Sequence, residues 1–353
     1  MKKLIIIQTV APDYRNLVFQ RIKDVLSNNF ELYAGKESFE KTIISNSKIH
    51  KPIKNIFLFN RRFLFQLKIW HLLFKNNVLV LEMNPRVLSN WIFLILRKLS
   101  NKETILWGHA WPRTGKGSKS DVVRNTMRKL GSKIIVYTKQ QQKELQQKMP
   151  NKEILAAPNA LFKSEDMCFN SSNEVNNLIY VGRLVVAKKV LFLVKAFHHS
   201  IDSIPSETKL IIVGDGDEKK ILENYIVENK LQDRIRLLGH ISDYNKLKEL
   251  YNTAIFSVSP GYIGLSVTQS FGFGVPMLVS RNEQHSPEIE AVIENKNAIF
   301  FKTDTISDFK NQLVDIFKNR ENWIAKRKEI VDFCKKNYSV EAMAETFIKL
   351  VKK

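Results

Sequence analysis

Cysteine is rare in this sequence of 353 residues, which contains only Cys168 and Cys334. The two lie far apart and neither belongs to a Cys-x-x-Cys pair, so a disulfide framework and a structural zinc site are both excluded. We therefore expect a reducing compartment. No apolar segment reaches the roughly 18–20 uninterrupted residues that cross a bilayer. The sequence also lacks a solenoid-period repeat and a low-complexity tract.

Acidic residues are scarce in the first half of the chain. Residues 1–160 hold 29 Lys and Arg against 10 Asp and Glu, whereas residues 161–353 hold 27 against 25. A basic excess confined to one half predicts a polyanionic partner, which would be nucleic acid, an anionic membrane surface or a phosphate-bearing acceptor. An AT-rich genome, which favours Lys and Asn codons, would also raise the charge, but it would not explain the asymmetry.

Short apolar runs alternate with amphipathic stretches along the whole chain. The runs are LIIIQ at 4–8, VLVLE at 78–82, TILW at 104–107, KIIVYT at 133–138, NLIYVGR at 177–183, KLIIVGDG at 209–216, IRLLGH at 235–240, AIFSVSP at 254–260 and PMLVS at 276–280. Runs that are apolar on both faces are typical of central parallel strands covered by helices. Because the chain exceeds the size of one core, the sequence predicts an α/β fold with two doubly wound sheets.

The domain boundary is predicted in the polar, aperiodic stretch 161–177, which directly precedes a strong strand signal. This gives a first domain at 1–165 and a second at 166–335. The remaining segment, 336–353, predicts a terminal helix capped by Ser339, with Met343, Phe347 and Leu350 on one face. We expect that helix to pack back toward the first domain.

Two cations follow the predicted strand NLIYV. Gly182 allows close backbone approach, and Arg183 and Lys188 lie across the turn before the next helix. Cations at the carboxyl end of a parallel strand face the usual ligand crevice and suit a diphosphate. On spacing alone, a solvated helix start explains them equally well.

A glycine-rich stretch, PGYIGLSVTQSFGFGVP at 260–276, also leaves a predicted strand and enters a short helix. Loop amides together with a helix N-terminus form an anion site. Turns in a loop without function would account for Gly261 and Gly264. They would not account for Gln269, which stands in a helix of small residues between two phenylalanines.

Four segments in this order resemble the retaining glycosyltransferases of family 4: GRLVVAKK at 182–189, VGDG at 213–216, LGHI at 238–241 and GLSVTQSFGFGVP at 264–276. The resemblance covers about half the chain. It implies a GT-B fold, in which two Rossmann-like domains face a central cleft. The N-terminal domain would bind the acceptor and the C-terminal domain the nucleotide-sugar.

The resemblance also implies roles for individual residues. Arg183 and Lys188 match the pair that holds the donor diphosphate, and Gly264, Leu265 and Ser266 match the loop that contacts phosphate and sugar through its backbone. The nucleobase would lie near His240 and Ile241. In the first domain, His109 corresponds to a histidine facing the reaction centre, although a loop-capping role is the alternative. Asn159 corresponds to an asparagine at the interdomain crossing.

The family's E-x7-E pattern is not preserved here. Its first Glu falls on Gly261 and its second on Gln269. Because a glutamine can both donate to and accept from a ribose diol, Gln269 remains a candidate for ribose binding. The loss of the first Glu, which contacts the donor sugar in the family, leaves sugar identity and activity open. Glu283, His285 and Glu288 are candidate replacements.

Two motifs point to sites that we do not expect. Asp215-Gly216-Asp217 has the form of a metal-binding D-x-D, but it occupies the place of the family's glycine turn and suits a turn locally. We therefore predict no metal and no cofactor. RTGKGSKS at 113–120 lacks P-loop spacing and predicts a basic acceptor loop.

The segment RRFLFQLKIWHLLFK at 61–75 predicts an amphipathic helix, with Arg61, Lys68, His71 and Lys75 on one face. Such a helix would lie on an anionic membrane, although a helix packed on the first sheet would show the same period. The basic first domain favours the membrane.

The sequence thus predicts a metal-independent retaining glycosyltransferase of bacterial surface polysaccharide synthesis. Its donor would be a nucleotide-sugar and its acceptor a saccharide, in particular a lipid-linked one. We expect it in the cytoplasm, peripheral on the inner face of the plasma membrane. Two alternatives remain. One is a catalytically degenerate protein that only binds nucleotide or glycan. The other is a nucleic-acid-binding protein, which we do not expect because no recognition motif is present.

Overall fold

The computed structural model describes residues 2–41, 43–112, 115–169 and 175–352. The chain divides into two compact units: residues 1–161 with 337–353 form unit 1, and residues 162–336 form unit 2. Arg113 and Thr114 of the predicted acceptor loop lie outside the described residues, as do 170–174 of the predicted boundary stretch.

Unit 1 is built on a parallel sheet, seven-stranded within the described residues, in the order β3-β2-β1-β6-β7-β8-β9. Its strands, together with the separate hairpin β4-β5, are β1 (Leu4–Gln8), β2 (Phe30–Ala34), β3 (His50–Pro52), β4 (Lys54–Leu58), β5 (Phe63–Leu67), β6 (Val78–Glu82), β7 (Thr104–Trp107), β8 (Lys133–Val136) and β9 (Glu153–Ala156). The helices are α1 (Asn16–Leu26), α2 (Leu88–Leu99), α3 (Asp121–Leu130) and α4 (Lys139–Lys148). All four strands predicted from the first-half apolar runs are present.

Helices cover both faces of this sheet, as two separate apolar clusters show. One cluster joins Phe19 of α1 to Trp107 of the sheet. The other joins the opposite faces of the strands to Phe93, Met127 and Leu145, which belong to α2, α3 and α4. Uniformly apolar strands are therefore buried on both sides, which is the doubly wound arrangement that the sequence predicts.

The segment 61–75 is not a helix, so that prediction is wrong. Residues 63–67 of this segment form β5, which pairs antiparallel with β4. Positive φ angles of 62° at Arg61 and 66° at Lys68 are incompatible with a continuous α-helix. Within β5, the buried Leu64 and Gln66 alternate with more exposed neighbours, which is the period of a strand. The partner strand β4, which directly precedes β5 in a hairpin, supplies the backbone hydrogen bonds.

Unit 2 contains a second parallel sheet, six-stranded within the described residues, in the order β12-β11-β10-β13-β14-β15. Its strands are β10 (Asn177–Val181), β11 (Leu210–Val213), β12 (Ile235–Leu237), β13 (Ala254–Ser259), β14 (Met277–Ser280) and β15 (Ala298–Phe301). The helices are α5 (Val190–His198), α6 (Lys219–Glu228), α7 (Tyr244–Asn252), α8 (Ser266–Gly272), α9 (Ile306–Lys318), α10 (Arg320–Ala325) and α11 (Arg327–Tyr338).

The last helix, α12 (Val340–Ile348), belongs to unit 1. Ser339 caps it, because the Ser339 hydroxyl accepts a hydrogen bond of 3.2 Å from the amide of Ala342. Met343 and Phe347 are buried in the same cluster as Phe19 of α1. Within the described part of the chain, no helix combines the length and the apolar character that crossing a bilayer would require.

Candidate functional site

Two loops leave the second sheet where its strand order reverses. β10 and β13 are adjacent and parallel, but the chain runs outward to β12 from one of them and outward to β15 from the other. Ligands of open α/β sheets bind outside the carboxyl ends of the strands at such a reversal. The loop after β10, 182–189, and the loop after β13, 260–266, therefore frame a candidate site, which we call the switch-point site.

Lys188 and Arg183 both reach Tyr262, which lies on the second of these loops. Lys188 Nζ donates a hydrogen bond of 2.7 Å to the Tyr262 carbonyl and lies 3.6 Å from the centre of its ring. Arg183 Nη2 lies 3.4 Å from the Tyr262 hydroxyl. Burial, and to a lesser degree the charge of Arg183, lowers the pKa of Lys188 to about 8, although Glu288 opposes the shift. The two predicted cations thus contact the same residue. Because their charges repel each other, a bound anion would stabilise both.

The glycine-rich loop brings its backbone next to Lys188. A Cβ placed on Gly264 would lie 4.0 Å from Lys188 Nζ. Leu265 and Ser266 follow at the start of α8, and all three residues are partly exposed. Since the first amides of a helix have no acceptor within the helix, these groups add hydrogen-bond donors to the cationic edge of the site.

The turn at 214–216 packs backbone against backbone with the loop after β10. Gly214 has φ of 156°, and a Cβ there would lie 1.8 Å from the Gly182 carbonyl oxygen. The Leu184 amide donates to the Asp215 carbonyl at 2.9 Å. A side chain at Gly214 would therefore force the two loops apart, so this glycine is required to keep Arg183 in place.

The Asp215 carboxylate belongs to the same turn. It accepts a hydrogen bond from the Gly216 amide at 2.8 Å and lies 3.7 Å from Lys219, which is the local turn role that its sequence context suggests. Among the residues that the structure describes, no three His, Cys, Asp or Glu side chains gather as metal ligands would.

Gly261, which the sequence resemblance matches to the family's first Glu, has no room for a side chain. A Cβ there would lie 2.4 Å from the Ala187 carbonyl oxygen and 2.8 Å from the carbonyl carbon of Lys188. The backbone of the loop after β10 therefore occupies the space that a glutamate stem would need.

Gln269 and the residues after β12 lie at other points of the same sheet edge. Gln269 is partly exposed on α8, and within the described residues its side-chain amide makes no hydrogen bond, so both ends of that amide are available to a ligand. His240 is exposed and Ile241 partly exposed. They are held beside the glycine turn because the Gly214 amide donates to the Gly239 carbonyl at 2.8 Å.

His285 fastens the glycine-rich loop to the end of β14. Its Nδ1 accepts a hydrogen bond of 3.0 Å from the Ile263 amide, and its Nε2 lies 2.9 Å from the Ser280 carbonyl, to which it donates. The ring must be neutral to do both. Burial lowers its pKa, against the opposing effect of the Ser280 bond. The sequence singles out this histidine only as a candidate replacement for a missing acid, and its positioning role was not predicted.

Lys189 and Glu283 pair with each other at the border of the site. Lys189 Nζ lies 2.7 Å from Glu283 and 2.7 Å from Asp304. Of two adjacent lysines, therefore, Lys188 turns toward Tyr262 and Lys189 toward carboxylates. The charge of Glu288 acts on Lys188 and partly offsets the lowering of the Lys188 pKa.

In unit 1, His109 follows β7 and is exposed. Its ring centre lies 4.6 Å from that of Tyr137, and its carbonyl accepts a hydrogen bond from Arg124 at 3.2 Å. The imidazole is therefore held from one side and open on another. Asn159, the residue matched to the family's interdomain asparagine, is buried with 9% of its surface exposed.

A polar cluster beside His109 was missed by sequence reasoning. Arg15 donates to the Tyr137 hydroxyl at 2.8 Å and lies 4.5 Å above the Trp107 ring. Glu82, the last residue of β6, accepts a hydrogen bond of 2.7 Å from the Thr9 amide, and desolvation by burial raises the pKa of its carboxyl. The sequence signal for this cluster was Glu82, the single acidic residue at the end of the apolar run VLVLE.

Comparison with known proteins finds relatives mainly for the second half of the chain. Residues 164–337 match the family described as glycosyl transferases group 1. Alpha-monoglucosyldiacylglycerol synthase of Acholeplasma laidlawii is 26% identical over 175 residues, which are 48% of this chain and 41% of that protein. An N-acetylgalactosaminyltransferase of Campylobacter jejuni, named for a diNAcBac-PP-undecaprenol acceptor, is 24% identical over 53% of this chain and 51% of its own. The matches thus span about half the length of these relatives or less.

Solved structures match over nearly the whole chain. Anabaena Alr3699/HepE in complex with UDP has a TM-score of 0.68 at 12% identity, covering 99% of both chains. Sucrose-phosphate synthase from Thermosynechococcus elongatus has a TM-score of 0.67 at 16% identity, covering 99% of this chain and 98% of that one. This chain therefore has the GT-B fold of these structures, and its residues 164–337, just under half of its length, match the family of group 1 glycosyl transferases.

Proposed function

We propose that this protein is a retaining glycosyltransferase that moves a sugar from a nucleotide-sugar to a saccharide acceptor. The observation that carries the proposal is the convergence of Arg183 and Lys188 on Tyr262 at the switch point of a group 1 glycosyl transferase unit. The relatives include a glycolipid synthase and an enzyme named for an undecaprenol-linked acceptor, which supports a sugar-transfer reaction.

In this proposal the donor diphosphate binds between the two loops. Arg183 offers a planar pair of donors, Lys188 offers a compact charge, and the amides of Gly264, Leu265 and Ser266 add neutral donors. The lowered pKa of Lys188 shows that the site is unfavourable for a cation without a counter-ion. A bound diphosphate would supply that counter-ion.

The remaining donor contacts follow from the same edge of the sheet. Gln269 would bind the ribose diol, because its amide offers both a donor and an acceptor. His240 and Ile241 would lie beside the base. Because backbone fills the space next to Gly261, a carboxylate from that position would not reach the sugar. Glu288 is an acid whose charge acts on Lys188.

During transfer, the bond between the sugar's anomeric carbon and the diphosphate oxygen breaks, and the acceptor oxygen bonds to that carbon on the same face. The acceptor proton passes to the departing phosphate oxygen. Charge on the leaving nucleotide increases, so preorganised Arg183 and Lys188 stabilise the transition state more than the bound donor. We assign His109 to orienting the acceptor or the donor sugar. We propose that these side chains act without a divalent metal or another cofactor.

For the acceptor we propose a lipid-linked saccharide of bacterial surface polysaccharide synthesis, such as lipopolysaccharide or capsule. The basic first half, with 29 Lys and Arg against 10 acids, favours an anionic membrane as the place of work. The proposed location is the cytoplasmic face of the plasma membrane.

A second candidate is a protein that binds a nucleotide-sugar without transferring it. The packing at Gly261 favours this alternative, because the family's first Glu is replaced and cannot be restored within the present backbone. Binding without turnover would be the distinguishing property.

The test is a thermal-shift screen with UDP, GDP, ADP and CMP sugars, followed by a transfer assay with the stabilising donor. A ligand that binds only the folded state raises the melting temperature in proportion to RT ln(1 + [L]/Kd). We expect one donor class to stabilise the wild type and Lys189→Gln, but much less Lys188→Met. Stabilisation with neither transfer nor donor hydrolysis would support the binding-only alternative. No stabilisation by any donor would refute both.

A further inference from the structure

The outer face of α2 is apolar. Ile92, Ile95 and Leu99 lie at positions i, i+3 and i+7, which places them in one stripe, and they are 37, 45 and 77% exposed. The opposite face of the helix buries Phe93 and Leu94 against the sheet. A surface helix ordinarily presents polar side chains to water. The folding of unit 1 therefore does not explain this stripe.

The neighbouring helix α3 also exposes apolar side chains. Arg124 of α3 donates to the Met83 carbonyl before the start of α2 at 2.7 Å, and Lys98 near the end of α2 donates to the Lys129 carbonyl of α3 at 3.4 Å. The two helices therefore run side by side in the same direction. At the start of α3, Val122 and Val123 are 71 and 50% exposed. We call the stripe of Ile92, Ile95 and Leu99 on α2 the apolar face.

Neither α2 nor α3 carries an exposed acid. Both helices lie fully within the described residues, and their sequences contain a single acid, Asp121. Asp121 is buried and bonded to Arg128 and Lys148 at 2.6 Å each. Lys98 and Lys129, in contrast, are exposed, as is Lys119 in the preceding loop. The apolar face is thus bordered by uncompensated positive charge.

We infer that the apolar face lies on an anionic lipid surface. Apolar side chains on a helix parallel to the membrane enter the boundary between headgroups and acyl chains, while lysines at the rim meet lipid phosphates. A second copy of the chain is disfavoured, because a two-fold interface would place the same lysine rim against itself. The inference specifies the membrane side of the proposed function, on which its biological meaning rests, but vesicle binding can be measured without donor or turnover.

The test is flotation of the full chain with two kinds of vesicle, phosphatidylcholine alone and phosphatidylcholine mixed with phosphatidylglycerol, at low and high salt. The variant Ile95→Gln/Leu99→Gln removes the centre of the stripe. Its matched control is Ile221→Gln/Val227→Gln, which changes two similarly exposed side chains on α6 of unit 2. Lys98→Gln/Lys129→Gln reduces the charged rim. Circular dichroism and melting temperature verify folding of each variant.

We expect wild type and the α6 control to float with the anionic vesicles at low salt, and Ile95→Gln/Leu99→Gln to lose most of this binding. The lysine variant should bind more weakly and depend less on salt, because exposed charges are screened. Wild type that fails to float with anionic vesicles, or a stripe variant that floats like wild type, would overturn the inference. So would light scattering that shows a dimer which the stripe variant abolishes while vesicle binding persists. Donor-dependent turnover with any of these results would leave the transferase proposal intact.

Discussion

No Cβ atom fits at Gly261, because the carbonyl oxygen of Ala187 lies 2.4 Å from the place where that atom would stand. Gly261 belongs to the loop after β13 and Ala187 to the loop after β10, so one backbone closes over the other at the switch-point site. The same loop carries Lys188, whose carbonyl carbon would lie 2.8 Å from the added atom. Any side chain at Gly261 would therefore displace the residue proposed to hold the donor diphosphate.

Restoring the family's glutamate with Gly261→Glu should consequently reduce activity. We expect Gly261→Ala already to lower the free energy of unfolding by about 1–3 kcal/mol, the usual cost of overpacking, and to weaken donor binding. Chemical denaturation and donor affinity measure the two effects. Gly117→Ala is the matched control, since a Cβ there meets nothing within 4 Å. A Gly261→Glu protein with higher kcat/KM than wild type would contradict the packing argument.

The strands and the cation pair could be predicted from the sequence because their signals are local. Uniformly apolar runs mark buried parallel strands, and two cations after such a run point to the crevice. The inner strand β2, the edge strands β3, β9 and β15, and the hairpin β4-β5 were not predicted. Their pairing depends on partners that no local pattern identifies, and the segment 61–75 showed an apparent helical period that tertiary pairing overrode.

The positioning contacts of the site could not be predicted either. Sequence spacing does not reveal that Lys188 and Lys189 point to different partners. The backbone at Lys189 has the αL conformation, with φ of 53°, which the sequence pattern does not indicate. The two hydrogen bonds of the His285 ring, to Ile263 and to Ser280, join segments whose approach depends on the whole sheet. Such contacts follow from the three-dimensional packing alone.

Donor affinity should fall as the pH rises above about 8. Lys188 has a pKa lowered to about 8 in the unliganded protein, and a bound diphosphate would raise it. Below pH 8 the lysine is charged with or without donor, so affinity stays flat. Above it, binding requires uptake of a proton, and Kd should rise by up to ~10-fold per pH unit.

Calorimetry of donor binding across this pH range, in two buffers of different ionisation enthalpy, measures both the affinity and the proton uptake. Lys188→Met should bind weakly and lose the pH dependence, whereas Lys189→Gln should keep it. Equal proton uptake by wild type and Lys188→Met would assign the titration to another group.

Acid should loosen the glycine-rich loop through His285. The neutral ring accepts from Ile263 through Nδ1, and protonation places a hydrogen on that atom. Because the folded pKa lies below the ordinary value of 6.5, the unfolded chain binds the proton more readily. The stabilisation is complete above pH 6.5 and is lost as the pH falls from there to the folded pKa.

Melting temperature and donor affinity measured from neutral to mildly acidic pH test this expectation. His285→Ala should weaken donor binding at neutral pH and flatten the acid dependence. The control is His199→Ala, because His199 is an exposed histidine directly after the end of α5. Donor affinity in His285→Ala that equals wild type would remove the positioning role.

Transfer should continue in the presence of EDTA, because side-chain cations and loop amides are proposed to take the place of a divalent ion. The assay compares kcat with EDTA, with added Mg²⁺ and with added Mn²⁺. Complete loss that a metal reverses would make Asp215 and Asp217 the first residues to re-examine, by substitution of each with Asn.

Replacement of Arg183 should reduce turnover as well as donor affinity. The Arg183 side chain is exposed, and among the described residues its hydrogen bond is to the Tyr262 hydroxyl, at 3.4 Å, so its removal should leave the fold intact. We expect Arg183→Ala to lose about 2–4 kcal/mol of transition-state stabilisation, which is roughly 30- to 1000-fold in kcat/KM. Arg183→Lys should recover only part of it, since a lysine cannot bind two phosphate oxygens in one plane. Kinetics of both variants, with Arg236→Ala as an exposed arginine control on β12, decide the matter. A folded Arg183→Ala protein with wild-type kinetics would show that the donor diphosphate lies elsewhere.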